Sequence, residues 1–100
     1  VKVYVDDIRN LPYTLCVNDW ILARSYDEAI EYLKTGEVTE LSLDHDLGEG
    51  PSGYDILLWI EEKVVKEEFI PPTIYIHTMN SAARYKMKQV VDSILRHRRK

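Results

Sequence analysis

The sequence predicts an α/β fold with a four-stranded parallel sheet and about three helices, and three observations predict it. Short runs of β-branched and aromatic residues alternate with amphipathic stretches of helical period. Proline, glycine and capping residues fall between these runs. The ionisable residues that interrupt apolar segments sit just after the strands rather than inside them. Alternation of this kind pairs strands in parallel through right-handed crossovers, with helices covering the sheet. The 100 residues are expected to form one domain, 1–100, around a single core.

Val-Lys-Val-Tyr-Val at 1–5 is the first strand, stopped by Asp6 and Asp7. The segment from Asp6 to Asp19 contains Pro12 and no helical stripe, so it reads as mostly loop. Trp20 to Arg24 is the second strand. Ser25 with Glu28 three residues on is a capping box. The helix it opens puts Tyr26, Ala29, Ile30 and Leu33 on one face and ends near Gly36. Glu40 to Asp44 is the third strand, and a loop to Gly53 carries three of the chain's four glycines. A helix from about Tyr54 to Glu67 turns Ile56, Leu57, Ile60 and Val64 inward, and Pro71-Pro72 forbid its continuation. Thr73 to His77 is the fourth strand. Asn80 or Ser81 caps the last helix, whose core face is Ala83, Met87, Val90, Val91, Ile94 and Leu95. Tyr54, Trp59 and Tyr75 are expected in the core.

Apolar residues make up 45% and charged residues 30% of the chain, the balance of a folded domain rather than a disordered one. A net charge of -4 argues against general DNA binding. One cysteine, Cys16, allows no internal disulfide and fits a reducing compartment. Without an apolar run of membrane-spanning length or a signal-peptide pattern, the expectation is a cytoplasmic domain that does not enter a membrane.

In an open parallel sheet all strand carboxyl ends lie along one edge, where ligands bind. Asp6-Asp7, Asp44-His45-Asp46 and His77-Thr78 with Asn80 are therefore expected to converge. Carboxylates gathered at one edge repel unless a cation joins them. Oxygen-rich ligand sets suit Mg²⁺ or Mn²⁺, so Asp6, Asp7, Asp44 and Asp46 are the candidate ligands. His45 is either a loop histidine or a proton carrier, and His77, opposite it, is either a core histidine or its partner in proton transfer. Arg9, the only cation near that corner in sequence, is a surface residue or a phosphate clamp. Thr78 and Asn80 can cap the last helix and also face an anion at its N-terminus. Asp55 reads as a cap, and Cys16 has no neighbour that would activate it.

Asp6-Asp7 after the first strand, Asp44 after the third and Thr78 after the fourth resemble the acidic pocket of bacterial response-regulator receiver domains. Leu47, Pro51, Gly53 and Ile56-Leu57 are similar to the segment that follows the receiver phosphoacceptor. The resemblance implies a truncated flavodoxin/receiver-like three-layer fold, Mg²⁺ at the acids, Asp44 in the phosphoacceptor position and Asp46 at a position whose backbone carbonyl is a ligand. The chain departs from ordinary receivers in lacking a fifth strand with its lysine. Asp-His-Asp-Leu-Gly at 44–48, His-Thr-x-Asn at 77–80 and Asp-Asp-x-Arg at 6–9 resemble instead the cyclic-phosphate processing receiver domains.

The expectation that follows is a metal-dependent phosphoesterase acting on a cyclic phosphate or an RNA-end phosphate, on a phosphorylated small molecule or an RNA. Asp44, His45 and His77 would carry the chemistry, Arg9, Thr78 and Asn80 would hold the phosphate, and Mg²⁺ or Mn²⁺ would bind the acids. The alternatives are a receiver that accepts phosphate on Asp44 and a degenerate receiver that only binds a partner protein.

Overall fold

The computed structural model describes residues 1–7, 19–48 and 50–98. Its strands are β1 (Lys2–Val5), β2 (Trp20–Ala23), β3 (Glu40–Leu43) and β4 (Thr73–Ile76). They form one parallel sheet in the order β2-β1-β3-β4. The described helices are α1 (Tyr26–Lys34), α2 (Gly53–Lys66) and α3 (Ser81–His97). This is the expected α/β architecture of four parallel strands and three helices.

Side chains alternate across a strand, and here the alternation sorts the two faces of the sheet. Val3, Val5, Ala23, Leu41 and Leu43 share one parity and are buried in a single cluster with Ala29, Ile30 and Leu33 of α1. Ile56, Leu57, Ile60 and Val64 of α2 and Met87, Val90 and Ile94 of α3 complete that cluster. All three described helices therefore lie on one face. Residues 8–18, in the connection between β1 and β2, lie outside the described residues. The opposite face carries Lys2, Tyr4, Trp20, Leu22, Glu40, Ser42, Thr73 and Tyr75.

The helices start where the capping residues place them. Ser25 Oγ accepts a hydrogen bond from the Glu28 N–H, and Asp55 accepts one from the Ser52 N–H. Asn80, not Ser81, caps α3, its Oδ1 accepting from the Ala83 N–H.

Two core expectations are corrected. Leu95 is 49% exposed, because the buried stripe of α3 runs through Ala83, Met87, Val90 and Ile94, and the next residue rotates off it. Tyr75 is 47% exposed, since its parity directs it away from the helices on the edge strand. Its hydroxyl donates to Glu40 Oε1 at 3.0 Å. That bond, and then the charge of Glu40, hold the Tyr75 phenol above its ordinary value of 10.0. A raised phenol contributes its stabilisation while protonated and loses it as pH rises past the folded-state value. The stability difference between wild type and Tyr75→Phe should accordingly shrink above pH 10.0 in denaturant titrations, and a difference that grows there would contradict the bond.

Candidate functional site

The site is one rung of the sheet beyond the strands. The ladder continues for a residue past their ends: the Asp6 N–H donates to the Ala23 carbonyl at 3.1 Å, the Asp44 N–H to Val5 at 3.0 Å and the His77 N–H to Leu43 at 2.9 Å. Parallel register thus fixes Arg24, Asp6, Asp44 and His77 at one level, in strand order, on the parity opposite the helices.

Asp6, Asp44 and His77 each offer a ligand atom within 4.8 Å of the others, so the three can hold a metal ion. Asp6 is 1% exposed, while Asp44 and His77 are half-buried. His77 Nε2 lies 3.2 Å from Asp6 Oδ2, and its Nδ1 lies 2.8 Å from Ser42 Oγ. The imidazole stacks on the Tyr4 ring with centroids 4.2 Å apart and planes 7° from parallel. Asp44 Oδ1 accepts from the His45 N–H at 2.7 Å, which turns the chain out of the strand.

Beside this rung opens a cleft of about 410 Å³ lined by Asp44, His45, Asp46, Thr78, Met79 and Asn80. Thr78 is 3% exposed, and its hydroxyl accepts from the Asn80 N–H at 3.2 Å. The Thr78 carbonyl accepts from Nη2 of the exposed Arg84 at 2.6 Å, and Arg84 itself does not line the cleft. Only one of its five donors is used in that bond.

Residues 1–93 match the family model of the cyclic-phosphate processing receiver domain. The chain belongs to that family. Its fold also has a counterpart among solved structures, a chain described as the yeast Spc42 trimeric coiled coil fused to another structure, with a TM-score of 0.64. The two are 18% identical, and the alignment covers 89% of this chain but 61% of that one, a likeness of fold alone. No curated protein matches the sequence.

Within this cyclic-phosphate processing receiver domain, the expected site residues divide into two groups and a remainder. Asp6, Asp44 and His77 come together on the rung, and His45, Asp46, Thr78 and Asn80 border the cleft with Asp44. Asp7 stands against the loop, its Oδ2 3.5 Å from where a Cβ on Gly48 would lie. Asp46 is exposed and closes a local turn by accepting from the Gly48 N–H at 3.1 Å. Neither belongs to the three-residue group. Arg9 and Cys16 lie outside the described residues.

Three residues of the site were not singled out from the sequence. Arg24 follows β2 as Asp6 follows β1, and its Nη1 reaches the Asp6 carbonyl at 3.4 Å, so a cation other than Arg9 stands beside Asp6. The strand-end argument applied to β2 would have found it. Ser42 shares the parity of Asp44 two residues earlier, a polar side chain between Leu41 and Leu43, and is 6% exposed. Arg84 has no distinguishing sequence signal among the cations of its helix. Among the described residues, no helix is long and apolar enough to cross a membrane.

Proposed function

We propose that this domain is a divalent-cation-dependent phosphoesterase whose substrate is a cyclic phosphate, either a small molecule or an RNA end. The observation that carries the reading is the adjacency of the three-residue group to the His45–Thr78 cleft, with Asp44 belonging to both. Two carboxylates and one imidazole form a donor set that suits Mn²⁺ and, less well, Mg²⁺. When bound, such an ion polarises a phosphoryl oxygen and makes a bound water a better nucleophile.

The chain's own residues supply the remainder. Thr78, which lines the cleft together with Asp44 and Asp46, would contact the phosphate there. Asn80 fixes the turn that presents Thr78. His45, beside Asp44 in the cleft, takes a proton from the attacking water as the new P–O bond forms. It returns that proton to the ester oxygen as the ring P–O bond breaks, leaving a phosphomonoester and a free hydroxyl.

The test is incubation with a 2′,3′-cyclic nucleotide and Mn²⁺ or Mg²⁺, with products followed by ³¹P NMR. Ring opening should require the cation and fall about 10²-fold or more in His45→Ala. Absence of turnover, or turnover indifferent to His45→Ala, refutes the reading. Asp44 is also the residue through which a phosphoaccepting receiver would act. A mass gain after acetyl phosphate treatment, lost in Asp44→Asn, would favour that alternative.

A further inference from the structure

Resting on the cation site of the proposed function, we infer that His77 is a metal ligand rather than a proton carrier, that Ser42 and Tyr4 are its positioning residues, and that it gives the site a preference for transition metals over Mg²⁺.

A proton carrier needs a ring nitrogen that faces the reacting atoms. His77 has neither nitrogen to spare for that purpose: Nε2 faces Asp6 Oδ2 at 3.2 Å and Nδ1 faces Ser42 Oγ at 2.8 Å. Its ring is not among the groups lining the cleft, whereas His45 is. A ligand needs the opposite arrangement, with one nitrogen aimed at the other ligands and the second held by a hydrogen-bond acceptor that fixes the tautomer. Nε2 is the nitrogen beside the Asp6 carboxylate, and the ring forms one group with Asp6 and Asp44. The Ser42 hydroxyl can accept from Nδ1–H, which leaves the Nε2 lone pair for an ion. The 3.2 Å between Nε2 and Asp6 Oδ2 is also close to the ~3 Å that separates neighbouring ligands around an ion with bonds of about 2.1 Å.

The ring cannot easily swing away from that position. Tyr4, 5% exposed, lies flat against it, and Ser42, 6% exposed, holds its far side. Both come from strand interiors whose backbone is fixed by the ladder on both sides. The imidazole is therefore preorganised. Its chemistry discriminates between ions: Mg²⁺ prefers oxygen and retains its waters, whereas an imidazole nitrogen favours the later first-row metals.

The experiment is calorimetric titration of wild type, His77→Gln and Ser42→Ala with Co²⁺ and with Mg²⁺, read as the ratio of the two affinities. Taking the ratio within each variant cancels a partial loss of folding. Wild type should bind Co²⁺ more tightly than Mg²⁺. His77→Gln should remove most of that preference, and Ser42→Ala should lower Co²⁺ affinity about 10- to 100-fold with a smaller change for Mg²⁺. A wild-type protein without preference, or a ratio unchanged in His77→Gln, overturns the inference and leaves the cation site standing. Binding of neither ion overturns both. A second readout requires no variant: with Zn²⁺ bound, the imidazole ¹⁵N signals of His77 should report a proton on Nδ1 and metal on Nε2, and a proton on Nε2 would refute the assignment.

Discussion

Asp44→Asn should abolish the cation-dependent stabilisation of the protein and at the same time raise the melting temperature of the metal-free form. The substitution keeps the oxygen that accepts from the His45 N–H at 2.7 Å, so the turn out of β3 survives. What it removes is one of two carboxylates whose oxygens lie within 4.8 Å. At that separation two like charges repel by a few kcal/mol at an effective dielectric of about 20, and solvent around half-buried Asp44 reduces this to ~1 kcal/mol. Relief of that amount corresponds to a rise of about 4–8 °C in a domain of this size. With a cation present the order reverses. An ion at 100 times its dissociation constant stabilises the wild type by about 2.7 kcal/mol, and the variant, with one carboxylate and one imidazole left, gains little. Thermal melts with Mn²⁺ and with chelator give both numbers. A variant less stable than wild type in chelator, or one still shifted by Mn²⁺, would mean that Asp44 is not a ligand under electrostatic strain.

The same pair of residues shows what strand patterning can reveal about such a site. Asp6, Asp44 and His77 lie some forty and seventy positions apart, and the sequence brings them together because parallel register aligns the ends of successive strands. Finer detail depends on the loop as well. Asp7 stands against Gly48 and Asp46 accepts from the Gly48 N–H, so both are tied to the loop and outside the three-residue group. Composition of the loop gives no sign of this, since aspartates serve turns and ions equally well.

Contacts that depend on packing are harder to read. Ser42 looks like a polar residue tolerated in a strand until the His77 ring is laid over it. Arg84 becomes distinctive only through the 2.6 Å bond to the Thr78 carbonyl, which depends on how α3 leaves the Asn80 cap. Tyr75 and Leu95 are apolar enough for a core and were displaced from it by geometry, one by the parity of an edge strand and the other by its angle around a helix. Hydrophobic pattern locates an element's buried stripe well and its margins poorly.

Gly53→Ala should be among the most damaging single-methyl changes in the described chain, and it should damage the site before it unfolds the protein. Gly53 begins α2, is buried, and donates its N–H to the His45 carbonyl at 2.8 Å, which closes the loop that begins at the rung. A Cβ at this position would overlap the Asp44 carbonyl oxygen, lying 3.0 Å from its carbonyl carbon and 3.2 Å from Met87 Cε. The methionine terminus can move aside. The Asp44 backbone cannot move as cheaply, because its N–H is bonded to Val5 across the sheet at 3.0 Å. Alanine is the better helix former by about 1 kcal/mol, which acts in the opposite direction. Overpacking against fixed backbone costs ~1–3 kcal/mol and sometimes more, so the clash outweighs the propensity gain. Either α2 retreats and opens the core around Ile56 and Leu57, or Asp44 tilts and its carboxylate leaves Asp6 and His77. The expected result is a lower melting temperature, together with cation affinity that is reduced even well below the melting point, where the protein is folded. Calorimetric titration beside a thermal melt separates the two effects. Unchanged stability with unchanged affinity would show that the helix start accommodates a methyl group, and that the close approach of α2 to Asp44 does not set the position of the carboxylate.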